Sequence, residues 1–533
     1  MTGPATTPAP WWRDAVVYEV YPRSFADAAP DGAPDGVGDL AGVRERIPYL
    51  QRLGVDAVWL TPFYVSPLAD GGYDVADPRR VDPMLGDAAG FAALVADLHG
   101  AGLRLIVDLV PNHTSAEHPW FRAALAGDPA ARERYRFVDG APDTPPNDWE
   151  SVFGGPAWTW SEQAGAWYLH LFDPSQPDLD WRNPDVVAEG QDVLRFWLDA
   201  GVDGVRIDVA HGLLKADGLP ARTPESLAAA AAAPPEFAHV RAHPGAWNQP
   251  EVLDVWRSWR SLADTYAGER LLVGEVFLPE LDDIAQYVAP GLLHQAFDFR
   301  VQACGFDAAE LRATIAPALD AFGDRAAWVL SNHDLVRHAT RYGGGERGVR
   351  RGLAVTTLLA GLPGALYLYQ GEELGLEQAE VPPARWQDPQ GRRGGRSRDG
   401  ARTPMPWTAD ADHGWPGGSW LPFGEVAGRS AAEQDAASGT LAAYRRLLAL
   451  RRRLRELPPE GAPAWLDTPA GVCGLRRRLG GIEVGVLLNT ADQAVRVPLD
   501  VTDVLIASDG EPLVGEGVVT LPAESGAWVR LRP

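Results

Sequence analysis

Residues 201–208 read Gly201-Val202-Asp203-Gly204-Val205-Arg206-Ile207-Asp208, a short apolar strand that ends on an arginine and an aspartate. Val205 and Ile207 alternate with Gly204 and Arg206, the period-2 spacing of a strand buried on at least one face. A carboxylate at the end of such a strand needs partners, because an unpaired buried charge is costly. Arg206, two residues before Asp208, points to the same face and can hold that carboxylate ionised. An oriented, ionised aspartate at a strand terminus is what covalent catalysis by a carboxylate requires. A structural Arg–Asp pair is the plainer reading of these eight residues; the rest of the chain decides between the two.

Working outward, similar apolar runs occupy residues 15–21, 55–60, 103–110, 271–275, 294–299, 327–330 and 365–369. Helical spacing fills the intervals at 40–53, 87–101, 186–200, 251–266, 308–316 and 352–360, with Pro317 marking a stop or kink in the fifth of these. Strands nearly continuous in apolar residues belong to parallel sheets covered on both faces. Eight of them alternating with helices describe an α/β chain of the (β/α)8 TIM-barrel class. The open doubly wound alternative lacks its Gly-rich phosphate fingerprint after the first strand. The rhythm breaks twice. Residues 114–181, dense in Pro, Asp and aromatics, are too long for a connecting loop and read as a subdomain inserted after strand 3. From 458 to 533 the pattern becomes short alternating runs at 472–477, 482–488, 494–499 and 526–531, an antiparallel β-sandwich domain. The barrel is then 1–113 plus 182–457. Residues 211–249, with the alanine run 228–233, read as a long excursion containing a helix beside the active face.

The chain has 533 residues, 72 acidic and 48 basic, a net charge of −24 that argues against nucleic acid and anionic membrane as partners. No apolar run approaches the roughly 18–20 residues of a membrane span. The first ten residues lack the basic and apolar regions of a signal peptide. Cys304 and Cys473 have no metal-ligand spacing and fit two reduced thiols, hence a cytoplasmic protein. Twenty tryptophans permit sugar-binding platforms without requiring them.

In such barrels the chemistry sits at the C-terminal strand ends. Those ends carry Asp108, Asn112 and His113 after strand 3, Arg206 and Asp208 on strand 4, Glu275 on strand 5, and His333 and Asp334 after strand 7. Four acids, two histidines and an arginine therefore converge on one mouth, far more than structural pairing of a single residue accounts for.

Here the residues resemble a family. Asp108-Leu-Val-Pro-Asn112-His113, Gly204-Val-Arg206-Ile-Asp208, Gly274-Glu275-Val276 and Ser331-Asn332-His333-Asp334 resemble, in order, the signature regions of the α-amylase family of glycoside hydrolases, family 13. Gln176-Pro177-Asp178-Leu179 resembles the further motif of its oligo-1,6-glucosidase and α-glucosidase branch. The resemblance extends to Asp70-Gly-Gly-Tyr73-Asp74-Val75 and to Ser397-Arg398-Asp399-Gly400-Ala401-Arg402-Thr403-Pro404-Met405, and covers the barrel and insert. It implies Asp208 as nucleophile, Glu275 as general acid and then base, and Asp334 as the acid that binds sugar hydroxyls. Arg206 would keep Asp208 ionised, and His113 and His333 would donate to hydroxyls of the same glucose. It further implies that Tyr73 stacks on that ring. Asp70 would pair with Arg402, or with Arg398 nearby, to close the pocket behind the non-reducing glucose. Phe172 and Phe153 fit either pocket walls or the core of the insert.

The resemblance also places a calcium loop at 27–39, with Asp35, Asp39, the carbonyl of Val37, and either Asp27 or Asp31 as ligands. Residues 28–34 are extra relative to that loop, and a solvated acidic loop fits as well. No cofactor is implied for the chemistry, and the expected partner is a small oligosaccharide. The implied activity is a retaining, exo-acting α-glucosidase on short maltose-type or isomaltose-type substrates, with α-glucosyl transfer or sucrose- or trehalose-type isomerisation as the alternative. Val209, after the nucleophile, leans towards α-1,6 linkages within this branch, but the tail Asp208-Val209-Ala210-His211-Gly212 also resembles α-glucosidases of an actinobacterial type.

Overall fold

The computed structural model describes residues 10–28, 34–435 and 439–532. Eight strands form where the apolar runs place them: β1 (Val16–Val20), β2 (Ala57–Leu60), β3 (Arg104–Leu109), β4 (Gly204–Ile207), β5 (Leu271–Gly274), β6 (Gln295–Ala296), β7 (Ala327–Val329) and β8 (Ala365–Tyr369). They pair in parallel in the order β6-β5-β4-β3-β2-β1-β8-β7. A parallel bridge between Phe297 and Ala327 joins the two ends, so the sheet closes on itself as the TIM-barrel reading expects.

Pleating separates inside from outside. Val17, Ala57, Trp59, Ile106, Leu271, Val273, Val329 and Tyr367 belong to one apolar cluster that fills the barrel. The residues between them, among them Tyr18, Val58, Leu105, Val205 and Leu272, join the apolar faces of the helices in a second and larger cluster. The inward rows run on at the C-terminal ends to Glu19, Asp108 and Arg206. Asp108 and Arg206 stand directly opposite each other in the β3–β4 register.

Two helices depart from expectation. The segment at 40–53 is two helices, Leu40–Glu45 and Ile47–Leu53, because Pro48 lacks the N–H that a continuous helix would use and disfavours helical geometry just before it. The helix expected to stop at Pro317 instead runs Ala308–Phe322. Ile315, Ala318 and Phe322 are buried on its inner face, and their packing outweighs the one lost hydrogen bond.

The insert builds a three-stranded antiparallel sheet from Phe137–Asp139, Trp158–Ser161 and Ala166–Leu169. Its tryptophans 149, 158 and 167 share an apolar cluster with Val209 and Trp247 of the excursion after β4. The chain ends in two antiparallel sheets of five and three strands around a cluster that includes Val472, Leu487, Val519 and Val529. Beyond the four runs read from sequence, they contain Ala464–Trp465, Val501–Ala507, Leu513–Gly515 and Val518–Leu521. These further strands are short or largely solvent-facing, which hides them from a periodicity reading.

Candidate active site

The pleat that carries Arg206 inward on β4 carries Asp208 inward two residues later. The row Leu271, Val273 on β5 likewise continues to Glu275. The ladder extends with them: Asp208 N–H donates to the Leu109 carbonyl (2.8 Å) and Glu275 N–H to the Ile207 carbonyl (2.9 Å). Three carboxyl groups consequently meet one guanidinium. Arg206 Nη1 donates to Asp108 Oδ1 at 2.9 Å and to Asp208 Oδ1 at 2.6 Å, and its Nη2 lies 3.0 Å from Glu275 Oε1. The guanidinium sits 5.3 Å above the Trp59 ring.

Burial pushes the Asp108 carboxyl up to about 7 against the pull of Arg206, with Glu275 adding to the rise. Asp208 is raised for the same reasons, burial first, with Glu275 and Asp108 opposing Arg206. One cation between two buried aspartates leaves Asp108 and Asp208 holding a proton near neutral pH, and that proton belongs to the pair rather than to a single residue. Tyr73 contributes a further bond, its hydroxyl donating to Asp108 Oδ2 at 3.0 Å.

Above these acids lies a cavity of about 360 Å³, lined by Asp70, Tyr73, His113, Phe153, Phe172, Asp208, Val209, Glu275, Asn332, Asp334 and Arg398 among others. One end is closed by ion pairs. Arg398 reaches Asp70 (2.6 Å), Asp334 (3.0 Å) and Asp388 (2.7 Å), with its guanidinium 4.7 Å over the Phe153 ring. Arg402 donates to the His333 carbonyl (3.0 Å) and to Asp334 Oδ1 (2.7 Å). The Asp70–Arg402 pair is therefore corrected. Arg398 is the partner of Asp70, because a turn at Asp399–Ala401 separates the two arginines and the Arg402 guanidinium is engaged by the loop after β7. Burial would raise Asp334, but His333, Arg398, Arg402 and Arg206 hold it well below the usual carboxylate range. Asp70 is pushed up to about 6 by burial, against Arg398 and Arg402.

The histidines are neutral donors and acceptors rather than cations. Burial pushes His113 down to about 4 and His333 down to about 3. His333 Nδ1 lies 2.5 Å from Glu19 Oε1, its Nε2 is 3.3 Å from Asp334, and its ring is parallel to Tyr73 at 5.1 Å. His113 Nε2 is 3.0 Å from Gln176, whose amide also donates to Asp70 at 3.0 Å. Phe172 lines the cavity at 5.3 Å from the His113 ring and 5.5 Å from Phe153. Both phenylalanines are walls.

Sequence reasoning passed over Lys215 and Glu19. Lys215 is fully buried and lies 2.8 Å from Asp178, also fully buried, pinning the insert motif to the segment after β4. Glu19, at the top of β1, is the partner of His333. Val209 has φ +47°, a strained conformation for a β-branched residue, and its N–H donates to Glu275 Oε2 at 2.9 Å. In the excursion, the helix Pro224–Ala232 lies away from the cavity, and Pro235, Glu236, His239, Val240 and Trp247 line it instead.

At the acidic loop, Asp27 accepts from Gly36 N–H (2.9 Å), Asp35 from Val37 N–H (2.8 Å), and Asp39 caps the following helix through Gly42 N–H (2.6 Å). Asp31 lies outside the described residues. Among the described residues no three acidic, histidine or cysteine side chains group as a metal site.

A family model described as "Alpha amylase, catalytic domain" matches residues 19–458. The chain is 36% identical to a probable α-glucosidase of Rhizobium meliloti (strain 1021), covering 98% of this chain and 97% of that one. It is 31% identical to an oligo-1,6-glucosidase of Parageobacillus thermoglucosidasius over 98% and 97% of the two chains. Among solved structures it resembles an α-glucosyl transfer enzyme, XgtA, with TM-score 0.88 and 35% identity, covering 98% of this chain and 100% of that one. With its strand-end acids gathered on one arginine over a one-ended cavity, the chain belongs to the α-amylase family of glycoside hydrolases.

Proposed function

We propose that the protein is a retaining, exo-acting α-glucosidase that releases α-glucose from the non-reducing end of short α-glucosides. The observation that carries this reading is the sharing of Arg206 by Asp208 and Glu275 at the floor of a cavity closed by Arg398, Asp70 and Asp334. Two carboxyl groups held on one guanidinium suit the close spacing of retaining enzymes, about 5–5.5 Å. Asp208 Oδ attacks the anomeric carbon while the proton held by the acid cluster passes through Glu275 to the leaving oxygen. Glu275 then takes a proton from water, which hydrolyses the glucosyl–Asp208 ester. Asp334, drawn ionised by two arginines, accepts from sugar hydroxyls, and neutral His113 and His333 bond others. The closed end admits one sugar and no extension beyond it, which makes the action exo.

A second reading keeps the same intermediate and replaces water by an acceptor sugar, giving α-glucosyl transfer or isomerisation. The likeness to XgtA favours it. A cytoplasmic location belongs to the same proposal and rests on Cys304 and Cys473, both buried and unbridged. No helix among the described residues is long and apolar enough to cross a membrane.

The test is turnover of an aryl α-glucoside, with the anomeric form of released glucose followed by NMR. Wild type should release the α-anomer first, and Asp208→Ala should lose at least about 10²–10⁴-fold in kcat. Initial release of β-glucose, or an active Asp208→Ala, overturns the mechanism. On maltose, isomaltose, sucrose and trehalose, free glucose as the main product supports hydrolysis, and new disaccharides with little glucose support transfer.

A further inference from the structure

Glu19, near the C-terminal end of β1, is 1% exposed, yet no arginine or lysine side chain among the described residues pairs with it. Its one side-chain partner among them is His333, which is itself fully buried; Nδ1 of the ring lies 2.5 Å from Oε1 of the carboxyl. A bond that short between two buried groups has a proton on the line between them, and either group can own it.

The far side of the ring decides which. Nε2 of His333 makes no hydrogen bond, and its nearest charge is Asp334 Oδ2 at 3.3 Å. Asp334 is paired with Arg398 (3.0 Å) and Arg402 (2.7 Å), so its carboxyl is an anion that offers lone pairs alone. A bare Nε2 would set a lone pair against that anion, whereas an Nε2–H sets a proton against it. In a neutral imidazole one nitrogen carries the proton and the other accepts. Nδ1 is then the acceptor, and the donor across 2.5 Å is the Glu19 carboxyl. An imidazolium between two carboxylates would be the other arrangement. Burial opposes it, with Arg402, Arg206 and Arg398 adding to the opposition. For Glu19 burial likewise favours the neutral form against the pull of Arg206, with Asp334 and Asp108 on the side of burial.

We infer that Glu19 is a positioning residue held as the neutral acid: its O–H donates to His333 Nδ1 and fixes that ring with the proton on Nε2, facing Asp334. A carboxylic acid outside the reacting set thereby decides which nitrogen of His333 can donate. The effect on turnover rests on the glucosidase reading; the protonation of Glu19 does not.

The first test is the infrared difference spectrum of wild type against Glu19→Gln at neutral pH. Wild type should show the C=O stretch of a protonated carboxyl that the variant lacks. A difference confined to carboxylate bands overturns the inference, whatever the substrate. The second is stability against pH. The titratable and charged groups facing Glu19 are Asp108 on β3, Arg206 on β4, His333 and Asp334 after β7, and Tyr369 on β8, and Glu19→Gln keeps them all. The folded chain holds a proton on Glu19 that the unfolded chain releases above the ordinary glutamate value of 4.5, so the contribution of Glu19 to stability falls as pH rises. The melting temperature of Glu19→Gln relative to wild type should therefore climb between about pH 5 and about pH 7. A constant or falling difference overturns the inference. The third is turnover of an aryl α-glucoside. Glu19→Gln offers Nδ1 an N–H and should keep kcat within about threefold of wild type, while Glu19→Met offers none and should lose about tenfold, the scale of one hydrogen bond. Equal losses in the two variants, or none in Glu19→Met, overturn the positioning role. If Glu19→Met does not fold, the infrared and melting comparisons on Glu19→Gln decide. A wild-type protein inactive on every α-glucoside removes the glucosidase reading and leaves the infrared result standing.

Discussion

The two ends of the cavity are built on opposite plans. At the sealed end every charged group answers to several others: Arg398 holds three carboxylates, Asp334 is shared by two arginines, and Asp70 is bonded by both Arg398 and Gln176. At the open end the walls are Val209, Trp247, Val240 and His239. The difference teaches where the molecule is committed. One sugar is met by a rigid, over-determined ionic frame. The other is met by apolar walls and a few hydrogen bonds, a surface on which single substitutions change preference before they change competence.

The sharpest way to break that contrast is Arg398→Met. Removing one partner of a buried ionic cluster costs about 3–5 kcal/mol, here spread over Asp70, Asp334 and Asp388. We expect kcat/KM to fall by about 10²-fold or more on every α-glucoside, with a lower melting temperature. A loss confined to one leaving group would place Arg398 in the open half instead.

Asp70 gives a smaller, pH-dependent effect. Its carboxyl is raised to about 6 in the folded chain, against 3.8 for an ordinary aspartate. Between those values the folded state holds a proton that the unfolded chain has released. The contribution of Asp70 to stability therefore falls as pH rises through this window. The ionic contact with Arg398 strengthens over the same window, and with it kcat/KM. In Asp70→Asn both slopes should flatten between pH 4 and 6, measured by melting curves and initial rates. Parallel curves for variant and wild type would remove Asp70 from the titrating set.

The smallest effect belongs to the open end. Val209→Ala should leave the sealed end intact and shift the isomaltose-to-maltose ratio of kcat/KM by about tenfold or less, the scale of a methylene-sized change in an apolar wall. A uniform fall on both disaccharides would mean that Val209 serves the acid and not the linkage.

This unevenness explains what the sequence discloses. The eight strands are legible because parallel strands covered on both faces are apolar throughout, and the acids are legible because each terminates such a run. Position along the chain then orders Asp208, Glu275 and Asp334 around one mouth. The pairing of Asp70 with Arg398 over Arg402 is not legible, since both arginines lie in one aperiodic loop and a turn of three residues decides which faces inward. Lys215 is hidden for another reason. Its partner Asp178 belongs to the insert, and nothing local marks a lysine whose charge is needed elsewhere. His239 and His243 have the spacing of two residues on one helical face, yet both are fastened to the backbone of Glu150, and backbone acceptors have no sequence signature. Helix Ala308–Phe322 crosses Pro317 because burial on its far side is a tertiary fact.

The bond from Val209 N–H to Glu275 Oε2 has a bearing on how this enzyme could diversify. The residue that follows Asp208 also bonds the proposed proton donor, and it holds that place in a left-handed conformation. A descendant that exchanges Val209 for another side chain perturbs the backbone presenting that N–H, and so the placement of the Glu275 carboxyl. Substrate range and turnover are thereby tied to a single codon, and lineages that part in one trait should be found to have parted in the other.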